Sequence, residues 1–242
     1  MRYSDLPVGQ ILTYRKVRSQ GELTGKDTPT VTAREHGSSR TASRILDVAE
    51  RLVQDRGFNG FSYADVAAEL QITKPALHYH FASKADLGEA LIARYAARFT
   101  QALAHVDSGA TDAPAKLDGY ARLYLQVLRQ RRMCLCGMLA AEYQTLPAAM
   151  QDAVIGFFDR NETWLQRVLE QGQADGSLQF AGSARETARM ILSGLEGAML
   201  IARPYGDITR FQAAAANLLS GLARGTAEPA PTGPGPAAAQ PG

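Results

Sequence analysis

The chain has little of what would place it outside the cell or in a membrane. It holds two cysteines in 242 residues, too few to cross-link a secreted scaffold of this size. No run of about 18 apolar residues occurs, so we expect no transmembrane helix and no membrane partner. The first twenty residues also lack the apolar stretch of a signal peptide. Together these absences predict a cytoplasmic protein.

An excess of charge of one sign and the common catalytic motifs are absent too. Lys and Arg number 26 against 24 Asp and Glu, a formal net charge of +2, so the total gives no indication of a nucleic-acid partner. The sequence contains no GxSxG elbow, Walker-type loop, HExxH pair or dinucleotide fingerprint. We therefore expect no enzyme, no catalytic residues and no cofactor.

What the sequence does contain is a long helical body between two atypical ends. Residues 1–39 show no sustained apolar period, and residues 225–242 hold five of the eleven prolines. We expect both ends to be disordered extensions. Apolar residues recur at helical spacing through residues 40–224, without alternating strand patterns. The sequence predicts an all-α fold of about nine helices.

Residues 62–81, SYADVAAELQITKPALHYHF, predict two short helices joined by a tight turn. Ser62 with Asp65 forms a capping pair before the first helix, and Thr73 suits the N-cap of the second. Ser83 with Asp86 forms a second capping pair, which opens the long helix that follows. This is the layout of a helix-turn-helix, whose second helix enters the major groove of DNA. At about 100° per residue, Leu77 faces the core and Tyr79 points directly away from it.

The outward face of the second helix combines one cation, two imidazoles, a phenol and a methyl group. These groups can bond phosphates and base edges or contact a thymine methyl. No acidic residue occurs from Leu70 to Ala85, so the local charge favours phosphate. His78 and His80 diverge by about 200° on a helix, so we expect no metal site there. The sequence predicts binding to double-stranded DNA.

Residues Thr41 to Glu89 resemble the TetR/AcrR family of bacterial transcriptional regulators. The resemblance lies in RGF at Arg56–Phe58, FSYADVAAEL at 61–70 and ITKPALHYHFASKADL at 72–87. It implies a helix-turn-helix DNA-binding domain over 40–88 and an effector-binding and dimerisation domain over 89–224. By position, the implied DNA contacts are Thr73, Lys74, Ala76, His78, Tyr79, His80 and Lys84. His78 stands where the family commonly has Tyr, and it could make contacts that are sensitive to mild acid.

The same resemblance implies a homodimer and an effector. Apolar and small residues of the last two predicted helices are candidates for the interface between subunits: Ile191, Gly194, Leu195, Ala198, Phe211, Leu218 and Leu219. The alternative is that these residues serve only the core of one subunit. A dimer also fits the geometry of DNA, because two recognition helices must reach half-sites about 34 Å apart or a multiple of that distance.

Residues Arg131–Leu146, RRMCLCGMLAAEYQTL, resemble the C-terminal region of one subgroup of the family, in which a CLCGMLAAEY-like run recurs. Met, Cys and aromatic side chains in and beyond this run are candidates for the walls of an apolar pocket, and Glu142 for its polar contact. The candidates are Met133, Cys134, Cys136, Met138, Glu142, Tyr143, Phe157, Phe158, Trp164 and Met199.

Two functional hypotheses follow from this segment. The first is a homodimeric repressor that a small-molecule effector releases from its operator. The alternative is a repressor in which the thiol of Cys134 or Cys136 senses an oxidant or electrophile. The two cysteines lie two residues apart on a predicted helix, where their sulfurs turn to different sides, so a disulfide between them is not expected. Activation instead of repression stays open.

Overall fold

The computed structural model describes residues 33–222 and shows an all-α fold over that range. One isolated bridge residue, Leu178, is the extent of β structure in these residues. The helices are α1 (Ala33–Arg56), α2 (Tyr63–Leu70), α3 (Lys74–His80), α4 (Lys84–Gly109), α5 (Ala113–Arg129), α6 (Leu135–Ala141), a 3-10 turn (Tyr143–Thr145), α7 (Ala148–Asp175), α8 (Ala184–Tyr205) and α9 (Ile208–Ser220). The predicted fold class is confirmed, with nine α-helices in the described range.

The ends require one correction. Helix α1 begins at Ala33, so residues 33–39 are helical although the sequence predicted them to be disordered. The absence of an apolar period misled here, because polar residues can extend a helix whose buried face lies further along the chain. Residues 1–32 and the predicted tail at 225–242 lie outside the described range.

The chain divides into two compact units. Unit 1 comprises residues up to His105 together with 138–153, and unit 2 comprises 106–137 together with residues from Val154 onward. The unit that carries the helix-turn-helix therefore extends beyond the boundary at residue 88 that we expected. Compared with the expected domain, unit 1 also includes most of α4 and residues 138–153.

In unit 1, the predicted cap residues form the helix starts. The Asp65 carboxylate accepts hydrogen bonds from the Ser62 backbone N–H and hydroxyl, each at 2.7 Å. Asp86 does the same for Ser83, at 2.8 and 2.9 Å. These bonds satisfy backbone groups that have no partner within the helix, which is why α2 and α4 begin where they do.

Unit 2 has a core of large side chains from four helices. Tyr120 of α5, Phe157 of α7, Leu195 of α8 and Phe211 of α9 are buried. Helices α8 and α9 pack closely at Gly194, where an added Cβ would lie 2.8 Å from the Leu218 side chain. Within residues 33–222, no helix is long and apolar enough to cross a membrane.

Candidate DNA-binding surface and effector site

Helix α3 presents the side chains that the sequence placed on its outward face. The Thr73 hydroxyl caps the helix by accepting a hydrogen bond from the Ala76 backbone N–H at 3.3 Å. Leu77 is fully buried, whereas Tyr79 is 79% exposed. Lys74 and His78 are exposed as well. The ring of Tyr79 is therefore open to an outside contact, and its predicted role in DNA binding stays a prediction.

A shallow, open groove of about 390 Å³ lies beside α3 in unit 1. Its wall contains two lysines and one imidazole, and it contains no carboxylate. The residues that line it are Phe61, Ser62, Tyr63, Ala64, Lys74, His78 and Lys84. Positive groups at a concave surface suit an anionic group such as a phosphate.

The orientation of His78 follows from two contacts. Its Nδ1 lies 3.0 Å from the Ala82 carbonyl oxygen, and its ring packs on Tyr63 at a centroid distance of 4.8 Å. A carbonyl only accepts, so Nδ1 carries the hydrogen and Nε2 of the neutral ring is an acceptor. The neutral His78 is thus suited to a base amino group, and only its protonated form suits a phosphate.

Tyr63 fixes the end of α3 from the other side. Its hydroxyl is directed at the carbonyl oxygens of Phe81, at 3.0 Å, and Ser83. Burial, with a smaller contribution from the Asp86 carboxylate, raises the pKa of Tyr63 to about 12. The hydroxyl therefore stays a donor at neutral pH and holds the turn between α3 and α4.

Lys84 serves the interior of unit 1 in addition to any outward contact. Its Nζ donates to the carbonyl oxygens of Phe58 at 2.6 Å and Phe61 at 2.5 Å. It also lies over both phenyl rings, 4.6 and 4.4 Å from their centroids. Burial lowers the pKa of Lys84, against the raising effect of the Glu142 and Asp65 carboxylates. The phosphate contact that the family resemblance implies can use only the one remaining N–H of Lys84. That contact stays a prediction.

Glu142, which we expected in the effector pocket, has its carboxylate in unit 1. It accepts hydrogen bonds from the backbone N–H groups of Phe58 at 2.5 Å and Asn59 at 3.2 Å. The neighbouring Gly57 has φ +83°, and an added Cβ there would lie 2.7 Å from Oε1 of Glu142. Glycine is required at this turn both by the positive φ and by the carboxylate. Glu142 thus stabilises the turn after α1.

The other pocket candidates divide between the units. Met138 and Tyr143 belong with Glu142 to unit 1 and are half-buried. The remaining candidates belong to unit 2, where Phe158 is half-buried and the others are buried: Met133, Cys134, Cys136, Phe157, Trp164 and Met199. The Met199 sulfur accepts a hydrogen bond from the Cys134 backbone N–H at 3.2 Å.

Sequence reasoning missed the polar centre of unit 2, which is Glu196 of α8. The residue as a whole is half-buried, but its Oε1 is buried and has no hydrogen-bond partner among the described residues. Burial raises the pKa of Glu196 to about 7, against the lowering effect of hydrogen bonds from Cys134 and Tyr124. The sequence does contain an indication of this site, because Glu196 is the one charged residue between Met190 and Ala202.

A hydrogen-bonded series of side chains leads from Glu196 through unit 2. The hydroxyls of Tyr124 and Tyr120 are 3.1 Å apart, and Tyr120 donates to Oδ1 of Asn161 at 3.1 Å. The Trp164 ring stacks on the ring of Tyr120, with centroids 5.6 Å apart and an interplanar angle of 18°. Burial raises the pKa of both tyrosines well above the usual value, so both stay protonated. Aromatic faces and one carboxyl group thus meet in one place.

The environment of the two thiols does not favour reactivity. Cys134 and Cys136 are free and buried. Burial raises the pKa of each thiol well above its usual value, and the nearby Glu196 carboxylate raises it further. The thiolate is the reactive form, so both cysteines are protonated at neutral pH and react slowly.

The residues that we expected at a subunit interface are used in two different ways. Ile191, Leu195, Phe211 and Leu219 are buried within one subunit, and we assign these four to its core. Helical periodicity could not separate the two roles. The apolar side chains that α8 leaves exposed are Met190, Leu200, Ile201 and Tyr205. Gly194 is exposed between them, and Ala198 and Leu218 are half-buried.

Comparison with known proteins agrees with this architecture. Residues 45–91 match the family described as bacterial regulatory proteins, tetR family. Residues 113–218 match the family described as tetracyclin repressor-like, C-terminal domain. The chain is 29% identical to the transcriptional regulator AcuR of Cereibacter sphaeroides over 156 residues, which are 62% of this chain and 70% of AcuR.

Two solved structures show the same fold. A TetR-family transcriptional regulator from Agrobacterium tumefaciens has a TM-score of 0.76 and 31% identity, over 77% of this chain and 100% of the other. A TetR regulator from Legionella pneumophila has a TM-score of 0.69 and 33% identity, over 75% and 97% of the two chains.

Proposed function

The chain belongs to the TetR family of bacterial transcriptional regulators and is a DNA-binding regulator, and we propose that it acts in the cytoplasm as a homodimeric repressor that a small-molecule effector releases from its operator. The observation that carries the proposal is the exposed, acid-free face of α3 around Tyr79. Neither catalytic residues nor a cofactor are part of it.

The proposed DNA contacts are the outward groups of α3 and its N-terminus. Lys74 and the protonated form of His78 are assigned to phosphate or guanine, and Tyr79 and His80 to phosphates or base edges. Ala76 is small enough for a thymine methyl group to approach, and the Thr73 N-cap brings backbone N–H groups near the phosphates. Lys84 would contribute its one remaining N–H.

A homodimer is proposed through the apolar face of α8. Leu200, Ile201 and Tyr205 are 56, 60 and 62% exposed, which is costly unless a partner covers them. Exposed small residues of α9, Ala213 and Ala216, allow close approach of a second subunit. Two copies of α3 in one dimer could then bind two half-sites.

The proposed effector site lies in unit 2, around Glu196 and the aromatic rings of Tyr120 and Trp164. A reversible ligand is favoured over the thiol alternative, because burial keeps Cys134 and Cys136 protonated. Helices α4 and α6 each run from one unit into the other, so both can carry a change in unit 2 towards α3. DNA binding requires one spacing of the two α3 helices in the dimer. An effector that binds more tightly to a dimer with another spacing therefore lowers operator occupancy.

The DNA-binding proposal is tested by fluorescence anisotropy with labelled DNA from upstream of the protein's own gene and with shuffled DNA of equal composition. We expect tight binding to the upstream DNA, with a loss of about 10³-fold between about 50 and 200 mM salt if six phosphates are neutralised. Lys74→Ala should lower the salt slope by about one unit. The matched variant Arg185→Ala removes an exposed cation from unit 2 and should change nothing. Equal affinity for both DNAs would contradict the proposal.

The dimer is tested by sedimentation equilibrium of Ile201→Asp. A charge in the centre of the proposed interface should shift the protein from dimer to monomer while its helical content is kept. Ile155→Asp places the same charge at an exposed isoleucine of α7 and should leave the dimer intact. If Ile201→Asp is still a dimer, the interface does not lie on this face of α8.

A further inference from the structure

The buried oxygen of Glu196 indicates which chemical class of effector unit 2 accepts, an inference that rests on the proposed function. We propose that the effector is an organic cation with an N–H group, and that it replaces the proton of Glu196 when it binds. The cation would donate to Oε1 and lie beside the rings of Tyr120, Tyr124 and Trp164.

A proton on Glu196 completes a series of hydrogen bonds in the unliganded protein. Three contacts in series connect it to Asn161: Glu196 with Tyr124, Tyr124 with Tyr120, and Tyr120 with Oδ1 of Asn161. The Asn161 amide is fixed, since its Nδ2 donates to the Phe157 carbonyl oxygen at 2.8 Å. The two phenols supply two hydrogens for three contacts. When Glu196 is ionised and accepts from Tyr124, one contact in the series lacks a hydrogen, and a proton on Glu196 supplies it.

One cation, Arg160, lies close enough to lower the pKa of Cys136 against the larger effect of burial, but within the described residues it forms no ion pair with Glu196 that could take the place of that proton. Helix α5 presents Tyr120 and Tyr124, and the segment at the start of α6 presents Cys134 and Cys136. On α7, Arg160 has this lowering effect on the pKa of Cys136, and Glu162 forms an ion pair with Arg189. No ion pair within residues 33–222 includes Glu196. An ionised Glu196 would therefore be a buried, uncompensated charge.

A bound organic cation would compensate the negative charge of an ionised Glu196. The carboxyl group of Glu196 releases its proton to solvent, and the ammonium group of the ligand takes up the negative charge and donates an N–H to Oε1. The phenol of Tyr124 then donates to the carboxylate, and aromatic faces nearby stabilise the cation further. A neutral ligand of the same shape leaves the proton in place and gains neither interaction.

Space at this position is set by Gly137 of α6. A Cβ at residue 137 would collide with Oε2 of Glu196, so the glycine allows the carboxyl group to lie against the helix. Gly137→Ala should therefore displace the carboxyl group without removing its charge. The variant separates the position of Glu196 from its charge.

The test uses the single tryptophan of the chain, Trp164, as a fluorescent reporter beside the site. The full-length protein is titrated with benzylamine and with benzyl alcohol, which have similar shape and differ in charge. We expect benzylamine to bind at least tenfold more tightly than the alcohol at about pH 8. Its dissociation constant should rise about tenfold between about pH 8 and pH 6, because protons then compete for a carboxyl group that titrates near pH 7.

Glu196→Gln keeps an N–H that can donate to Tyr124 but removes the charge. It should abolish both the preference for the amine and its pH dependence, whereas Glu170→Gln at an exposed position of α7 should keep both. Equal binding of amine and alcohol, no binding of benzylamine up to about 10 mM, or an unchanged Glu196→Gln variant would each overturn the inference. Operator binding is measured separately. Binding of benzylamine without release from upstream DNA would contradict the proposed regulation and leave the cation site standing.

Discussion

The contact between Glu142 and the turn after α1 gives a prediction whose size can be worked out from the structure. Glu142→Ala removes two charge-assisted hydrogen bonds, to the N–H groups of Phe58 and Asn59. Such bonds contribute about 1.5 to 3 kcal/mol each, and water replaces part of this at a half-exposed site. We expect the free energy of unfolding of unit 1 to fall by about 2 kcal/mol.

A double-mutant cycle with Gly57→Ala measures the coupling between residue 57 and the Glu142 carboxylate. The left-handed φ of Gly57 costs an alanine about 1 to 2 kcal/mol, and the Cβ must also displace the Glu142 carboxylate. The second cost disappears once Glu142 is truncated. The two substitutions should therefore be less than additive, by at least about 1 kcal/mol.

The assay is urea unfolding followed by circular dichroism, together with hydrogen exchange of the amides in α1 and α2. Trp164 fluorescence reports unit 2 and should change little. Glu89→Ala, at an exposed glutamate of α4, is the matched control and should stay within about 0.5 kcal/mol of the parent protein. Additive effects of the two substitutions, or a Glu142→Ala protein as stable as the control, would refute the assigned role of Glu142.

Three further predictions concern buried groups. Lys84→Met should destabilise unit 1 by about 1 to 2 kcal/mol in urea, because the carbonyl oxygens of Phe58 and Phe61 lose their donor, and unchanged stability would leave only an outward role for Lys84. Cys134 and Cys136 should react with a thiol reagent at neutral pH only as fast as the protein unfolds, so rapid labelling of the native protein would favour the thiol-sensing alternative. The pKa of Glu196 is raised in the folded state, so its proton stabilises the fold below about pH 4.5. That contribution, up to about 3 kcal/mol, should be lost as the pH rises through about 7 and should be absent in Glu196→Gln.

The sequence allowed us to predict those features that local rules decide. The capping pairs at Ser62 and Ser83 depend on residues three positions apart, and the outward direction of Tyr79 depends on helical periodicity alone. These predictions were confirmed. The length of α1 was missed, since its first turns have no apolar period.

Contacts between distant residues were beyond such rules. Glu142 lies 84 positions from Phe58, and nothing near either residue indicates that they pair. Likewise, the helical spacing of Ile191 and Leu200 does not tell which of them faces the core and which is exposed. Glu196 was visible as an isolated charge in an apolar segment, but its tyrosine partners lie on another helix.

In the proposed dimer, two copies of α3 bind DNA upstream of the protein's own gene. Hydroxyl-radical footprinting of that DNA tests it most directly. We expect two protected half-sites whose centres are about 34 Å, or a multiple of that distance, apart, and we expect Tyr79→Ala to lose both together. A single protected segment, or two that persist in Tyr79→Ala, would contradict it.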